Sequence, residues 1–210
     1  MLCNTQSRPI RIRAADSTIL VWDNFLIDPG ATRRKALLAT YFKPLPAIPW
    51  FVADRQPAGL KRVVNHLEAA IGASLYDWNI SSPRSTICKF MINCAAAKSL
   101  IRAHADPFDL AAVLYLNERP PSEAGTTFFW RESSTANAPY SSIVPHFLPN
   151  VDRTTFKPTL AIPNVFNRLV CYDGALIHSA TGYFGTTKTS GRLVASFFFN
   201  RGTSKILKLK

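Results

Sequence analysis

Four residues in the second half of the chain have side chains that could act together on a metal ion. His104 and Asp106 form a His-x-Asp pair, an isolated His178 follows them, and Arg192 comes next. Two imidazoles and one carboxylate can occupy one triangular face of Fe(II), leaving the opposite face open to a chelating co-substrate and to O2. The arginine would supply a fixed cation for a carboxylate of that co-substrate. These residue types therefore predict an iron-dependent oxidation site.

The spacing within the His-x-Asp pair directs both side chains to the same place. Side chains two positions apart in a β-strand lie on one face, so His104 and Asp106 can converge on one ion while Ala105 points away. His178 ends another short apolar run, residues 175–177. A His-x-Asp tripeptide alone arises easily by chance, and a buried core histidine is the alternative interpretation of His178. The combination of the pair with a third ligand favours the metal site.

Arg192 stands at the start of a strongly apolar stretch, Leu193 to Phe199. An arginine buried there without an anion would be costly. Arginine also binds carboxylates through two parallel hydrogen bonds and keeps its proton, which suits an anion anchor. The alternative is a surface residue that directly follows Gly191.

The elements that must position these residues are predicted to be short strands. From about residue 84 onward, β-branched and aromatic runs are separated by Gly, Pro, Asn and Asp, with no helical pattern between them. Repeated strands of this kind predict a sandwich or barrel, and a jelly roll is one form whose mouth holds small ligands. The predicted strands are Ser85–Cys94, Ser99–His104, Leu110–Leu116, Thr126–Trp130, Arg168–Tyr172, Leu176–Ser179 and Leu193–Phe199.

The first part of the chain, residues 1–83, is predicted to be a mainly helical support. Thr18 to Trp22 has the pattern of a short strand. Asp28-Pro29 could cap a helix over Ala31 to Phe42, and the apolar face of Ala58 to Ala73 predicts a second helix. Both helices are expected to pack on the outside of the sheet.

Two segments show no regular period. Residues 133–167 are rich in Ser, Thr, Asn and Pro, which predicts a long insertion between strands and makes it the candidate for substrate recognition. Residues 201–210 are predicted to be a basic tail. Both belong to a single domain, 1–210, whose catalytic core spans 84–200.

The composition fits a globular domain with a strong positive charge. The 210 residues are 47% hydrophobic and 18% charged, and the net charge is +12. Such a charge could attract nucleic acid, acidic proteins or anionic metabolites. The basic residues occur in short scattered groups and not in a long run interleaved with aromatics, which favours solvated surface over a nucleic-acid groove.

The cysteines and the apolar segments bear on the compartment. The four cysteines show no C-x-x-C spacing and are interpreted as reduced and structural. The N-terminus has no apolar signal-like stretch, and no segment reaches 18 uninterrupted apolar residues. The expectation is a cytoplasmic protein that does not partner with membranes.

The order and spacing of the motifs resemble the Fe(II)/2-oxoglutarate-dependent dioxygenases, and among them the prolyl 4-hydroxylase-like branch. A hydrophobic strand ending in Tyr-Leu-Asn follows the His-x-Asp pair, and a Gly-Thr-x-Phe strand comes soon after. The resemblance covers roughly residues 84–200. The matching segments are His104-Ala105-Asp106, Ala112 to Asn117, Gly125 to Phe129, Asn167 to Val170, Ile177-His178-Ser179 and Arg192-Leu193-Val194.

The resemblance implies a fold and an iron site. The core would be a double-stranded β-helix of the jelly-roll or cupin-like kind, in a mainly β chain with N-terminal helices (α+β). His104, Asp106 and His178 would be the catalytic iron ligands. Arg192 would pair with the C5 carboxylate of 2-oxoglutarate.

Other contacts follow from the same resemblance. Tyr115 and Thr127 are expected to line the cavity, either as hydroxyls that help bind the co-substrate or as core residues. The family often has a serine or threonine two residues after the arginine, where this chain has Val194. Arg102 shares a strand face with His104 and is either a substrate contact or a solvated edge residue.

The implied activity is an Fe(II)- and 2-oxoglutarate-dependent hydroxylation of an amino acid, peptide or related biosynthetic intermediate, with release of succinate and CO2. O2 would be the oxidant and ascorbate an accessory reductant. Family members that halogenate lack the carboxylate that Asp106 supplies, so its presence favours hydroxylation. Two alternatives stay open, an AlkB-like nucleic-acid demethylase and a non-catalytic cupin-like binding module.

Overall fold

The computed structural model describes residues 1–14, 17–44, 50–79, 85–95, 103–131 and 156–202. The strands are β1 (Ile10–Ala14), β2 (Ser17–Trp22), β3 (Tyr41–Phe42), β4 (Trp50–Ala53), β5 (Leu75–Tyr76), β6 (Lys89–Asn93), β7 (Leu110–Tyr115), β8 (Gly125–Arg131), β9 (Phe156–Pro163), β10 (Leu169–Asp173), β11 (His178–Thr181) and β12 (Arg192–Arg201), and the helices are α1 (Pro29–Leu38) and α2 (Leu60–Ile71).

Within these residues the strands form two antiparallel sheets. A nine-stranded sheet has the order β1-β2-β10-β7-β12-β6-β4-β3, with β5 paired to β12, and a three-stranded sheet has the order β11-β8-β9. From β6 onward the chain passes back and forth between the two sheets. The prediction of a mainly β chain with helices in its N-terminal part is confirmed. Neither described helix is long and apolar enough to cross a membrane.

The large sheet has a different partner on each of its faces. One face packs against α2, whose buried residues include Val63, Val64 and Leu67. The other face meets the small sheet through a second group of buried side chains, here called the inter-sheet cluster. Its buried members are Ala14, Ile19, Val21, Ala111, Tyr115, Phe128, Ile162, Val170, Tyr172, Leu176 and Val194.

The central strand β12 divides its side chains between these two environments. Leu193, Ala195 and Phe197 belong to the helix-side core, whereas Val194 belongs to the inter-sheet cluster. Side chains alternate along a strand, so Arg192 shares the inter-sheet face with Val194. The fold therefore places this arginine between the two sheets.

The two helices lie where the sequence predicted them, with one shorter than expected. The carboxylate of Asp28 accepts a hydrogen bond from Ala31 N at 2.8 Å at the start of α1. The predicted helix over Ala31 to Phe42 is wrong at its end, because Ala39 is extended and Tyr41–Phe42 instead pair with β4. The second helix ends at Gly72, whose positive φ of 77° stops it.

The N-terminal region contributes more to the sheet than its prediction as a helical support allowed. Besides the predicted β2, the strands β1, β3, β4 and β5 come from residues 1–83, and all of these except β5 lengthen the large sheet along its main path. The two-residue strands β3 and β5 are too short for local patterning to give a signal, and β5 is placed by its pairing with β12, far along the chain.

Both segments that were predicted to be irregular, residues 133–167 and 201–210, contain residues that belong to strands. β9 (Phe156–Pro163) lies inside the predicted insertion 133–167, which corrects that prediction for its second half, while residues 133–155 lie outside the described residues. Arg201 ends β12, and residues 203–210 of the predicted tail lie outside the described part.

Asn167 joins the N-terminal region to the strands that follow. Its side-chain Nδ2 donates to Leu26 O at 2.9 Å and its Oδ1 accepts from Leu26 N at 2.8 Å. Its backbone N donates to Tyr115 O at 3.0 Å, and Phe25 N donates to its carbonyl at 3.0 Å. Its φ of 65° is one that asparagine tolerates better than most residues.

We predict that Asn167→Ala lowers the free energy of unfolding by about 2–4 kcal/mol, because it removes two buried hydrogen bonds and places alanine at a positive φ. Urea denaturation followed by circular dichroism measures the change. Asn164→Ala is the matched control, since the Asn164 side chain is also buried but has no hydrogen-bond partner among the described residues. Equal losses in the two variants would contradict the prediction.

Candidate metal centre and anion pocket

The His-x-Asp segment is held against the strand that carries the second histidine. His104 and His178 exchange two backbone hydrogen bonds of 2.9 Å each, as an isolated antiparallel bridge. Asp106 N donates to Gly174 O at 2.7 Å. A side chain at Gly174 would collide with the carbonyl of Phe108, so only glycine allows this close approach. These contacts fix the backbone positions of all three predicted ligands.

The three side chains converge at one point. His104 Nε2 lies 3.6 Å from Asp106 Oδ1, and His178 Nε2 lies 3.3 Å from Asp106 Oδ2. One ligand atom from each residue lies within 4.8 Å of the others. Atoms that bind one ion at about 2.1 Å lie up to about 4.2 Å apart, so small side-chain rotations bring all three onto one ion. The structure thus brings together the predicted triad.

The electrostatics of the triad suit metal ligation. Burial alone would raise the pKa of Asp106, but His178 and His104 hold that pKa below its usual value, so the carboxyl is ionised. The Nδ1 atom of His178 lies 2.8 Å from Leu176 O. A proton on Nδ1 would be donated to that carbonyl, which makes Nε2, the ring nitrogen beside Asp106, the atom that could bind an ion.

One side of the triad is more open than the other. The side chains of His178 and Asp106 are 6% and 10% exposed, whereas that of His104 is 32% exposed. The imidazole of His178 packs on the rings of Tyr172 and Phe128, with centroids 4.7 Å and 6.2 Å away. Access to an ion at this site is therefore from the His104 side.

Arg192 is a buried cation without an acidic partner among the residues that the structure describes. It is 3% exposed, and it forms no ion pair with any carboxylate of the described residues. Its Nη2 donates to Gly125 O at 3.2 Å, while its Nε is buried without a partner in the described chain. Leaving a charge buried and unpaired is strongly unfavourable. An anionic ligand would supply both the missing charge and the missing acceptor.

Tyr115 lies directly beside this arginine. Its ring centroid is 5.5 Å from the Arg192 guanidinium carbon, and its hydroxyl is 2.8 Å from Thr126 Oγ1. Burial raises the pKa of Tyr115, although Arg192 acts to lower it. The tyrosine therefore keeps its proton and is a neutral, buried hydroxyl beside Arg192.

The predicted threonine lies on the other face of its strand. Phe128 pairs with His178 across β8 and β11, and the residue two before it, Thr126, shares that face. Thr127 is on the opposite face, where its hydroxyl donates to Thr181 Oγ1 at 3.4 Å. The structure therefore places Thr126, and not Thr127, next to the tyrosine that contacts Arg192.

Other polar groups of this region were missed from the sequence. Asn93 is 6% exposed, lies opposite Arg192 in the β6 and β12 pair, and has an Oδ1 without a partner in the described residues. Asn93 is a polar residue in a predicted strand that is mostly apolar, and this was the available signal. Tyr183 was missed as well: its hydroxyl is buried and has no hydrogen-bond partner among the described residues, but it lies in the loop after β11, where no strand pattern marks it. Arg102 lies outside the described residues.

Comparisons with known proteins add a distant likeness to a solved structure. No family model and no curated protein matches the chain. A solved structure of a selenomethionine-labelled Fe(II)/α-ketoglutarate-dependent dioxygenase, TqaL, is similar with a TM-score of 0.41 and 15% identity, over 85% of this chain and 76% of that chain. A likeness this distant does not assign a function, which has to rest on the site residues.

We predict that Asp106→Ala weakens binding of Mn(II) or Co(II) by at least about 10- to 100-fold, because loss of even an outer-shell partner of a metal ligand has an effect of that size. Isothermal titration calorimetry on the purified full chain measures the affinity. Asp109→Ala, an exposed carboxylate three positions along the chain, is the control and should bind the metal as the unmodified protein does.

Proposed function

We propose that this chain is an Fe(II)- and 2-oxoglutarate-dependent oxygenase of the prolyl 4-hydroxylase-like kind, built on a double-stranded β-helix. The observation that carries the proposal is that a two-histidine, one-carboxylate triad and a buried arginine without an acidic partner in the described chain both border the inter-sheet cluster, the triad through Tyr172 and Phe128 and the arginine through Tyr115. The alternation of strands between the sheets supports the proposed fold.

The separation between the triad and the arginine suits a short dicarboxylate. Phe128 pairs with the metal ligand His178, and Gly125 binds the guanidinium of Arg192, on the same strand β8. Three residues of a strand span about 10 Å, so β8 holds Phe128, beside His178, about that far from the carbonyl that binds the Arg192 guanidinium. A five-carbon diacid with a 2-oxo group could bind the ion at one end and Arg192 at the other.

The donor set also fits iron. Two imidazole nitrogens and one carboxylate, with the opposite positions open, form the facial arrangement of non-haem Fe(II) oxygenases. When bound, iron and 2-oxoglutarate supply the oxidation chemistry, in which 2-oxoglutarate and O2 are converted to succinate and CO2 while one oxygen atom goes to the substrate.

The protein's own residues position the reactants. The carbonyl of Leu176 orients His178, and Asp106 supplies the negative charge that a divalent ion requires. The rings of Tyr172 and Phe128 cover the buried side of the site and exclude water there. Substrate would then approach from the open side, next to His104.

The substrate proposed is an amino acid, a peptide or a related biosynthetic intermediate, and the reaction proposed is hydroxylation. The carboxylate of Asp106 occupies a ligand position that a halogenating site needs free for halide. Arg102 and residues 133–155 remain predictions for substrate contacts. We also propose a cytoplasmic location, where the four free cysteines would stay reduced.

We predict that the full chain, supplied anaerobically with Fe(II) and then with 2-oxoglutarate, ascorbate and air, forms succinate, and that Asp106→Ala abolishes this. Arg192→Leu should raise the KM for 2-oxoglutarate by about a hundredfold, because it removes a buried charged partner of the distal carboxylate. Arg201→Leu, an exposed arginine at the far end of the same strand, is the matched control. Mass spectrometry quantifies succinate and detects the gain of one oxygen in a panel of candidate substrates.

Each alternative function has its own result in this assay. Metal binding without any turnover of 2-oxoglutarate would favour the non-catalytic cupin-like module. Oxidation of methylated oligonucleotides in the panel, with binding that weakens steeply as salt rises, would favour the AlkB-like demethylase.

A further inference from the structure

Two polar side chains on neighbouring strands have buried atoms to which the proposed site gives no role. They are Trp50 on β4 and Asn93 on β6. The ring nitrogen Nε1 of Trp50 and the side-chain oxygen Oδ1 of Asn93 are both buried, and neither has a hydrogen-bond partner among the residues that the structure describes. A buried polar atom without a partner is rare in folded proteins and calls for a physical reason, such as a ligand or an ordered water.

The two residues lie directly opposite each other on one face of the large sheet. Trp50 pairs with Asn93 in the antiparallel register of β4 and β6. Their neighbours Phe51 and Ile92 contact the helix-side core, and side chains alternate along a strand, so Trp50 and Asn93 project from the other face. Side chains at opposed positions have Cβ atoms about 5 Å apart, which is close enough for one small group to contact both.

The two atoms are chemically complementary but are not bonded to each other. An indole Nε1–H can only donate a hydrogen bond, and an amide oxygen can only accept one. A direct bond would satisfy both atoms, yet each lacks a partner within the described chain. A group that bridges them has to accept a hydrogen bond from Trp50 and donate one to Asn93. An amide does this with its carbonyl and its N–H, whereas a carboxylate has no proton to donate to Asn93.

The position of the pair next to Arg192 favours a neutral occupant. Asn93 lies opposite Arg192 in the pairing of β6 with β12, and Trp50 is one strand further away, about 10 Å from Arg192 across the sheet. An ammonium group could also donate to Asn93, but it would lie beside a buried guanidinium and be repelled by it. Arg192 therefore selects an anion, whereas Trp50 and Asn93 select a neutral group that both donates and accepts.

The surface around the pair is apolar. Phe42 pairs with Val52, and Val52 pairs with Met91, so these three side chains share the face of Trp50 and Asn93. Among the described residues, no buried member of the inter-sheet cluster comes from β3, β4 or β6, so the large sheet extends past the part that the small sheet covers. This extension offers apolar contacts to the rest of a molecule whose polar group is held by Trp50 and Asn93.

We propose that Trp50 and Asn93 form a subsite for an amide group of the substrate, in which Trp50 Nε1–H donates to the amide carbonyl and Asn93 Oδ1 accepts from the amide N–H. This inference rests on the proposed function, because it takes the occupant to be the substrate of that reaction. It narrows the proposed substrates to molecules that contain an amide, such as a peptide or an amide-bearing intermediate, and excludes a free amino acid. The amide is not the group that is oxidised, which has to lie at the triad.

The test uses neutral probes that differ only in the N–H. The N-methylamides of a panel of straight-chain, branched and aromatic carboxylic acids are each compared with the methyl ester of the same acid, which keeps the carbonyl but has an oxygen in place of the N–H. Calorimetry measures their affinities for the full chain, both alone and loaded with Mn(II) and 2-oxoglutarate without O2. At least one amide should bind about 5- to 10-fold more tightly than its ester, the effect of one hydrogen bond.

Each of two substitutions removes one of the proposed hydrogen bonds. Asn93→Leu, which keeps a similar side-chain volume, should weaken amide binding until amide and ester bind equally, because the acceptor for the N–H is gone. Trp50→Phe should weaken both probes by about 5- to 10-fold and leave the ratio of their affinities unchanged, because the donor to the shared carbonyl is gone. A merely structural effect of Asn93→Leu would weaken both probes alike and would not abolish the difference between them.

The controls separate this inference from the proposed function. Trp78→Phe also loses an indole N–H, but Trp78 donates to Leu75 O at 3.1 Å and packs on the helix-side core, so this variant should bind both probes normally. Equal binding of every amide and its ester, the result expected if only an ordered water bridges Trp50 and Asn93, overturns the inference. An amide preference that survives Asn93→Leu overturns it as well. If the unmodified Mn(II)-loaded chain does not bind 2-oxoglutarate, the proposed function is overturned, while the titration of the metal-free chain still decides whether the amide subsite exists.

Discussion

The two-residue alternation of side chains along β12 is the constraint on which the site depends. This strand lies in the middle of the large sheet and contacts the helix-side core with one face and the small sheet with the other. A shift of one residue in the pairing of β12 would move the Arg192 side chain into the apolar core beside α2. It would also move the Leu193 side chain to the face that contacts the inter-sheet cluster. The apolar residues that follow Arg192, such as Phe197 and Phe199, fix the register because they fill the helix-side core. The anion pocket is therefore positioned by residues that never contact an anion.

The same kind of constraint explains which parts of the site could be predicted from the sequence. The convergence of His104, Asp106 and His178 could be predicted because a His-x-Asp pair and a later histidine after an apolar run have distinctive chemistry, and ligand atoms of the three lie within 4.8 Å of one another. The burial of Arg192 followed from its place at the start of an apolar strand. Thr127 was expected to line the site together with Tyr115, but its side chain lies on the other face of β8. The two threonines that follow Gly125 are chemically identical, and only the pairing of β8 with β11 decides which of them lies on the same face as Phe128.

Other features depend on contacts that no local pattern contains. Gly182, for example, packs on the backbone of Ala124, more than fifty residues earlier in the chain, which is a tertiary contact. The short strand β3 forms because it pairs with β4, which in turn pairs with β6. Strands such as β7 and β12 were predictable because their apolar runs are long enough to specify buried strands, whereas β9 was missed and two- to four-residue strands are decided by their neighbours.

The charges at the site bear on how its ligands would bind. Asp106 and Arg192 are both buried and carry opposite charges, but Arg192 contacts the carbonyl of Gly125 and not the carboxylate.

A divalent ion and a doubly charged diacid add no net charge together, so a site that holds both stays neutral overall. Either ligand alone would leave an unmatched charge in surroundings of low dielectric, where such a charge is strongly unfavourable. The binding of each ligand should therefore strengthen the binding of the other, so the two ligands are expected to bind cooperatively. The surplus of basic residues, +12 for the whole chain, lies outside this balance and would act at longer range by attracting the dianion toward the cavity.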